Sequence, residues 1–162
     1  MPHGEIGNLR VRGDSTMAYY WNQHEKTKAT LFGPWIQTGD KYHRDAEGYF
    51  WYDGRGDDML KVGGIWVSPI EVEATLIQHD AVLEAAVVGQ EDDDRLVKPR
   101  AYVVLKEQAR ASEALASELR AFVKDKIAPY KYPRWIDFVP ELPKTATGKI
   151  QRFKLRQGTP GA

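Results

Sequence analysis

Five residues, Gly54-Arg55-Gly56-Asp57-Asp58, constrain this chain more than any others. Glycine adopts backbone angles closed to other residues, and a run of two glycines and two aspartates is a strong interruption of regular structure. The run separates two sequence regimes. Upstream, aromatic and turn-forming residues alternate over short distances, and downstream, longer apolar segments alternate between helical and strand periods. The 162 residues are therefore predicted to form two pieces, a β-rich segment over 1–56 and an α+β domain over 57–162.

In the first piece, Glu5 to Arg12 reads as a strand that opens the chain abruptly. Asn22 is expected to cap a short helix over Gln23 to Leu31. Lys41 to Arg44 and Tyr49 to Asp53 flank the polar turn Asp45-Ala46-Glu47-Gly48, which predicts a hairpin. In the second piece, Ser68-Pro69-Ile70-Glu71 starts a helix: serine at the cap, proline at the first helical position, glutamate three residues beyond the cap. Ala81 to Val88 and Arg100 to Lys106 read as strands, the second alternating Ala101, Val103 and Leu105 against Tyr102, Val104 and Lys106. Ser112 caps a helix with Leu115, Leu119, Phe122, Val123 and Ile127 on one face. Pro129 ends it, Trp135 to Val139 form a last strand, and Ile150 to Arg156 a short amphipathic helix.

Bulk properties narrow the partners. Lys plus Arg equal Asp plus Glu at 23 each, so no net charge draws the chain toward nucleic acid or an anionic membrane. With no cysteine, disulfides, thiolate nucleophiles and Cys-ligated metals are excluded. No apolar run approaches the ~20 residues of a membrane helix. Met1-Pro2-His3-Gly4 does not read as a signal peptide, and cytoplasmic residence is the expectation. His3, His24, His43 and His79 show no metal-ligand spacing and are expected to be surface or structural residues.

Four segments carry possible chemistry. Thr38-Gly39-Asp40 puts a carboxylate on a tight turn, either a plain surface turn or an acceptor for both hydroxyls of a ribose. Arg55, in the glycine-rich break, is either linker or a fork-shaped cation for a nucleotide sugar or phosphate, and Asp57 sits where a pivot would. Gly63-Gly64 is a hairpin turn or a place where a long ligand passes close to the backbone. Pro143-Lys144-Thr145-Ala146-Thr147-Gly148-Lys149-Ile150 is a solvated loop or a mobile lysine able to reach phosphate; the order of its residues is not that of a P-loop.

Taken in order, Thr38-Gly39-Asp40, Gly54 to Lys61, Gly64, Ser68-Pro69, Glu71-Val72-Glu73 and Pro143 to Ile150 resemble the adenylate-forming enzymes: acyl-CoA ligases, peptide-synthetase adenylation domains and luciferases. The resemblance spans essentially the whole chain. Gly64 to Pro69, Gln78 to Gly89 and Lys149 to Arg156 are most similar to benzoate–CoA ligases and their hydroxybenzoate relatives. Gly63 departs from the pattern, which has serine there in most relatives.

The resemblance implies a fold and a reaction. The second piece would be a small mobile α+β lid with an antiparallel sheet and flanking helices, and the first the end of the large N-terminal domain. Carboxylate and ATP, with Mg²⁺, would give acyl-AMP and pyrophosphate; coenzyme A would then give acyl-CoA and AMP. By position, Asp40 binds the ribose hydroxyls and Arg55 supports the nucleotide. Asp57 is the hinge, Gly64 lines the CoA tunnel, and Lys149 is the catalytic cation of the first step. The phosphate loop, adenine site and acid pocket would lie upstream in the chain's own N-terminal domain, leaving this portion inactive alone. The expected substrate is an aromatic acid, with benzoate foremost. An aryl acid–adenylating enzyme serving a carrier protein and a stand-alone non-catalytic module are the alternative readings. Pro143, Gly148 and Lys149 also match the pattern at which bacterial acyl-CoA ligases are silenced by a lysine acetyltransferase.

Overall fold

The computed structural model describes residues 2–158, which form two compact units divided between Asp57 and Asp58. In the first, a long central strand organises a four-stranded antiparallel sheet. Strand β1 (Gly7–Val11) lies along one edge of β3 (Trp35–Arg44), and β2 (Leu31–Phe32) and β4 (Phe50–Arg55) pair with it as well. The hairpin from β3 to β4 turns at Asp45, whose carboxylate accepts the Tyr49 amide at 2.9 Å and the Trp51 indole N–H at 2.7 Å. The Trp51 hydrogen bond, against a smaller opposing effect of desolvation, holds this carboxyl below its ordinary range.

Helix α1 (His24–Thr30) forms where expected but is not capped by Asn22. Asn22 has φ +52°, the left-handed region that asparagine tolerates, and Gln23 occupies the cap position without a side-chain bond. Thr27 compensates: its hydroxyl donates to the Gln23 carbonyl at 2.9 Å and accepts the Tyr20 amide at 3.0 Å. Leu31, expected within the helix, instead begins β2.

The second unit begins with a tight hairpin, β5 (Leu60–Val62) and β6 (Ile65–Val67), turning on Gly63 and Gly64. Helix α2 (Pro69–Ile77) follows, and the Ser68 hydroxyl accepts the Glu71 amide at 3.3 Å, as its cap motif predicts. Strands β7 (Val82–Glu91) and β8 (Val97–Leu105) pair antiparallel. Helix α3 (Glu113–Lys126), capped by Ser112, then carries the chain across, so β9 (Trp135–Phe138) joins β8 in parallel, as a crossover requires. Helix α4 (Arg152–Arg156) ends the described structure.

Strand alternation sorts the core into two layers. Ala101, Val103 and Leu105 of β8 pack with Val67, Val72, Leu76, Leu115, Leu119 and Val123 on one face of the sheet. Tyr102 and Val104 point to the other face and pack with Ala86, Val88, Val139, Leu142 and Leu155. Each fully buried aliphatic side chain contributes about 1.5–3 kcal/mol. Both faces of β8 are thus covered: the Tyr102 hydroxyl is buried but donates to the Leu155 carbonyl at 3.1 Å, which anchors α4 to the sheet.

Candidate functional site

Thr38-Gly39-Asp40 is not a turn. The three residues lie within continuous β3, where the pairing with β1 slips between Asn8 and Arg10. Gly39 absorbs this irregularity at φ +83°, and an added Cβ there would also meet the Arg55 guanidinium at 3.3 Å. A glycine inside an aromatic strand reads locally like a turn; the long-range pairing overrides that signal.

On the other side of β3, Asp40 lies opposite Arg55 in the β3–β4 register, which shifts between Lys41 and Tyr42. Arg55 Nη1 donates to Asp40 Oδ1 at 3.3 Å, and its Nε lies 3.5 Å from Asp57 Oδ1. The Thr38 hydroxyl accepts the Asp40 amide at 3.1 Å, and the Gly39 carbonyl accepts the Gly56 amide at 2.8 Å, so the carboxylate and the arginine stand on a cross-braced backbone. Desolvation works against the Arg55 cation, but Asp57 and then Asp40 outweigh it and raise its pKa. Half of the Arg55 side chain remains exposed, so the pair is weak enough to exchange for a ligand. A carboxylate acceptor and a guanidinium fork on adjacent strands suit vicinal hydroxyls beside a phosphate.

Gly64 and Lys149 belong to the second unit. Gly63 and Gly64 have φ of +56° and +86°, the signature of a two-residue hairpin, and a Cβ on either would meet nothing within 4 Å. The glycine pair is thus required by the turn, not by crowding within the chain. Space outside the hairpin is open to a ligand.

Lys149 stands at the end of an exposed loop with its own internal bracing. The Thr145 amide donates to the Lys149 carbonyl at 2.8 Å, the Thr145 hydroxyl accepts the Lys149 amide at 3.1 Å, and Gly148 turns the chain at φ +81°. Among the described residues no carboxylate pairs with the Lys149 ammonium. By contrast Lys144, on the same loop, is held by Glu84 at 2.6 Å. The loop therefore presents one lysine outward and ties the other down.

A charge cluster beneath this loop is not legible in the local sequence pattern. Arg152 Nη2 lies 2.8 Å from both carboxylate oxygens of buried Glu73, Arg152 Nη1 lies 3.7 Å from Asp58, and Arg156 also pairs with Asp58. Glu73 accepts the Val87 amide at 2.7 Å. Desolvation raises the Glu73 pKa, against the pull of Arg152. The available signal was Glu73 itself, a charged residue on the inward face of α2 beside buried Val72, Thr75 and Leu76. Of the histidines, His43 donates to Asp53 at 2.9 Å and His79 contacts Glu118 at 3.1 Å.

Comparison with known proteins identifies relatives of the chain. Residues 71–149 match the model of the AMP-binding enzyme C-terminal domain. The chain is 63% identical over 153 residues to a benzoate–CoA ligase of Thauera aromatica, covering 94% of this chain and 29% of that protein. The crystal structure of a benzoate CoA ligase from Burkholderia xenovorans superposes with a TM-score of 0.87 at 61% identity, over 96% of this chain and 31% of that one. An anthranilate CoA ligase in complex with anthranoyl-AMP gives a TM-score of 0.90 at 57% identity, over 98% and 31%. The chain thus spans under a third of the length of these relatives. It belongs, through its AMP-binding C-terminal domain and the strands that precede it, to the adenylate-forming acyl-CoA synthetase superfamily.

Proposed function

We propose that this chain is the C-terminal part of an ATP-dependent ligase that activates an aromatic carboxylate, benzoate or a near relative, and transfers it to coenzyme A. The observation that carries this reading is the 63% identity to a benzoate–CoA ligase over nearly the whole chain. In the first step a carboxylate oxygen attacks the α-phosphorus of ATP and the bond to pyrophosphate breaks. Negative charge gathers at the reacting phosphate, and the Lys149 ammonium, which no carboxylate among the described residues neutralises, supplies the complementary cation. Asp40 accepts the ribose hydroxyls and the Arg55 fork steadies the nucleotide. In the second step the thiolate of coenzyme A attacks the acyl carbon and AMP leaves; Gly64 leaves the pantetheine arm room beside the hairpin. Asp57 is the pivot between the two steps. No group of three or more His, Asp or Glu among the described residues forms a cation site, so Mg²⁺ is assigned no step on these residues.

Lys149 is also proposed as a site of reversible acetylation, since it is exposed and acetylation would remove its charge without deleting the loop. Peptide mass mapping after treatment with a bacterial protein acetyltransferase and acetyl-CoA tests this, and an unmodified Lys149 rejects it.

Replacing the matching region of the Thauera aromatica enzyme with this chain tests the function. The chimera is expected to form benzoyl-CoA from benzoate, ATP and coenzyme A, whereas the 162-residue chain alone forms none. A properly folded chimera without activity toward any aromatic acid would reject the reading.

A further inference from the structure

Arg152 lies three residues beyond Lys149, at the start of α4, and its guanidinium turns back into the domain. One nitrogen grips both oxygens of Glu73, at 2.8 Å each, and another faces Asp58 at 3.7 Å. Glu73 in turn holds the Val87 amide of β7, so this carboxylate joins α2, the sheet and α4. Asp58 is the residue immediately after the proposed pivot, and Arg156, one turn along α4, fastens to it as well. We propose that Arg152 is a positioning residue: the Glu73–Arg152–Asp58 clamp fixes the root of the Lys149 loop to the sheet and to the residue beside the pivot, and so sets where the Lys149 ammonium stands during adenylation. This rests on the reading of Lys149 as the adenylation cation.

The loop has few other roots. Thr145 to Lys149 hydrogen-bond among themselves, and the stems are joined by the Lys144–Ile150 bridge and by the Gln151 amide donating to the Pro143 carbonyl at 2.8 Å. Outside the loop, Lys144 reaches Glu84, and α4 is held by buried Leu155, by the Tyr102 hydroxyl, by Arg156 on Asp58 and by Arg152. Stability alone does not call for such a clamp, because apolar residues of similar volume commonly serve as well as a buried ion pair. Here a carboxylate is desolvated, and among the described residues the buried Arg152 Nε finds no acceptor. A guanidinium that meets Glu73 through one nitrogen and faces Asp58 with another does fix direction, which apolar packing does not.

The test combines Glu73→Gln with Arg152→Met, which removes both charges, keeps an acceptor for the Val87 amide and preserves most of the volume. In the chimera, acyl-adenylate formation should fall by up to about 100-fold, chiefly in kcat, because small misplacements of a reacting group are costly. Thioester formation from pre-made benzoyl-AMP should stay at the parent rate. In the 162-residue chain, hydrogen exchange should quicken at the Gly148 and Lys149 amides while β7 and β8 keep their protection. Arg152→Lys, which retains charge but not the fork, should fall between parent and double variant. Equal losses in both half-reactions, or loop and sheet loosening together, would overturn the proposal. So would unchanged adenylation and loop exchange in a double variant when Lys149→Ala abolishes adenylation, which leaves the reading of Lys149 intact. Should Lys149→Ala spare adenylation, that reading falls by itself, and the loop exchange alone decides for or against the clamp.

Discussion

The two units use their apolar residues in opposite ways. Among the described residues every buried hydrophobic side chain lies at Met59 or beyond, in two layers around β7 and β8. Among its described residues the first unit has none. Its β4 carries Phe50, Trp51 and Tyr52, respectively 62%, 55% and 45% exposed. Successive strand residues point to opposite faces, so both faces of this strand are open. Exposed apolar surface on that scale marks an interaction site or an incomplete core. We propose that the second unit folds by itself and that the first is a sheet completed by further protein; the chain spans 29% of a relative's length.

Dividing the chain between Asp57 and Asp58 tests that contrast most severely. Residues 58–158 should keep a cooperative thermal transition and dispersed amide resonances, and residues 2–57 should show neither. A cooperative melt of the shorter piece would break the comparison. Within the intact chain the contrast should appear as energy. Leu119→Ala, at a site with no exposure, should cost about 2–5 kcal/mol in urea denaturation. Phe50→Ala should stay within about 0.5 kcal/mol. Comparable losses at the two positions would show that the first unit has a core of its own.

The smallest effect concerns Glu73, the one buried carboxylate among the described residues of the second unit. Folding raises the Glu73 pKa, chiefly by desolvation, so the folded chain binds this proton more readily than the unfolded chain. Stability should therefore fall as pH rises from the ordinary glutamate range through the raised value, and be flat in this respect below and above. Glu73→Gln lacks that slope and should gain on the parent across the same interval. Urea midpoints measured through the acid range would reveal it; parallel profiles for the two proteins would deny it.

What was legible in the sequence was local. Ser68 and Ser112 cap because their side chains meet amides three residues on, and the alternation of β8 follows from strand geometry alone. The Asp45 turn announced itself in the same way. Features set by distant partners were not legible. Gly39 looked like a turn because nothing near it reveals that β1 and β4 flank it as strands. The parallel entry of β9 depends on a crossover, and Glu73 meets Arg152 across 79 positions. The residues Asp40, Arg55, Gly64 and Lys149 were found through co-ordered motifs. That Asp40 and Arg55 face each other came only from the register.

The role proposed for Lys149 is in adenylation and not in thioester formation. It is tested by following the two half-reactions separately in the chimera carrying Lys149→Ala. Loss of one transition-state contact is worth about 2.7–4 kcal/mol, so benzoyl-AMP formation should fall about 10²- to 10³-fold while thioester formation from supplied benzoyl-AMP keeps the parent rate. Equal falls in both steps, or no fall in the first, would contradict the account.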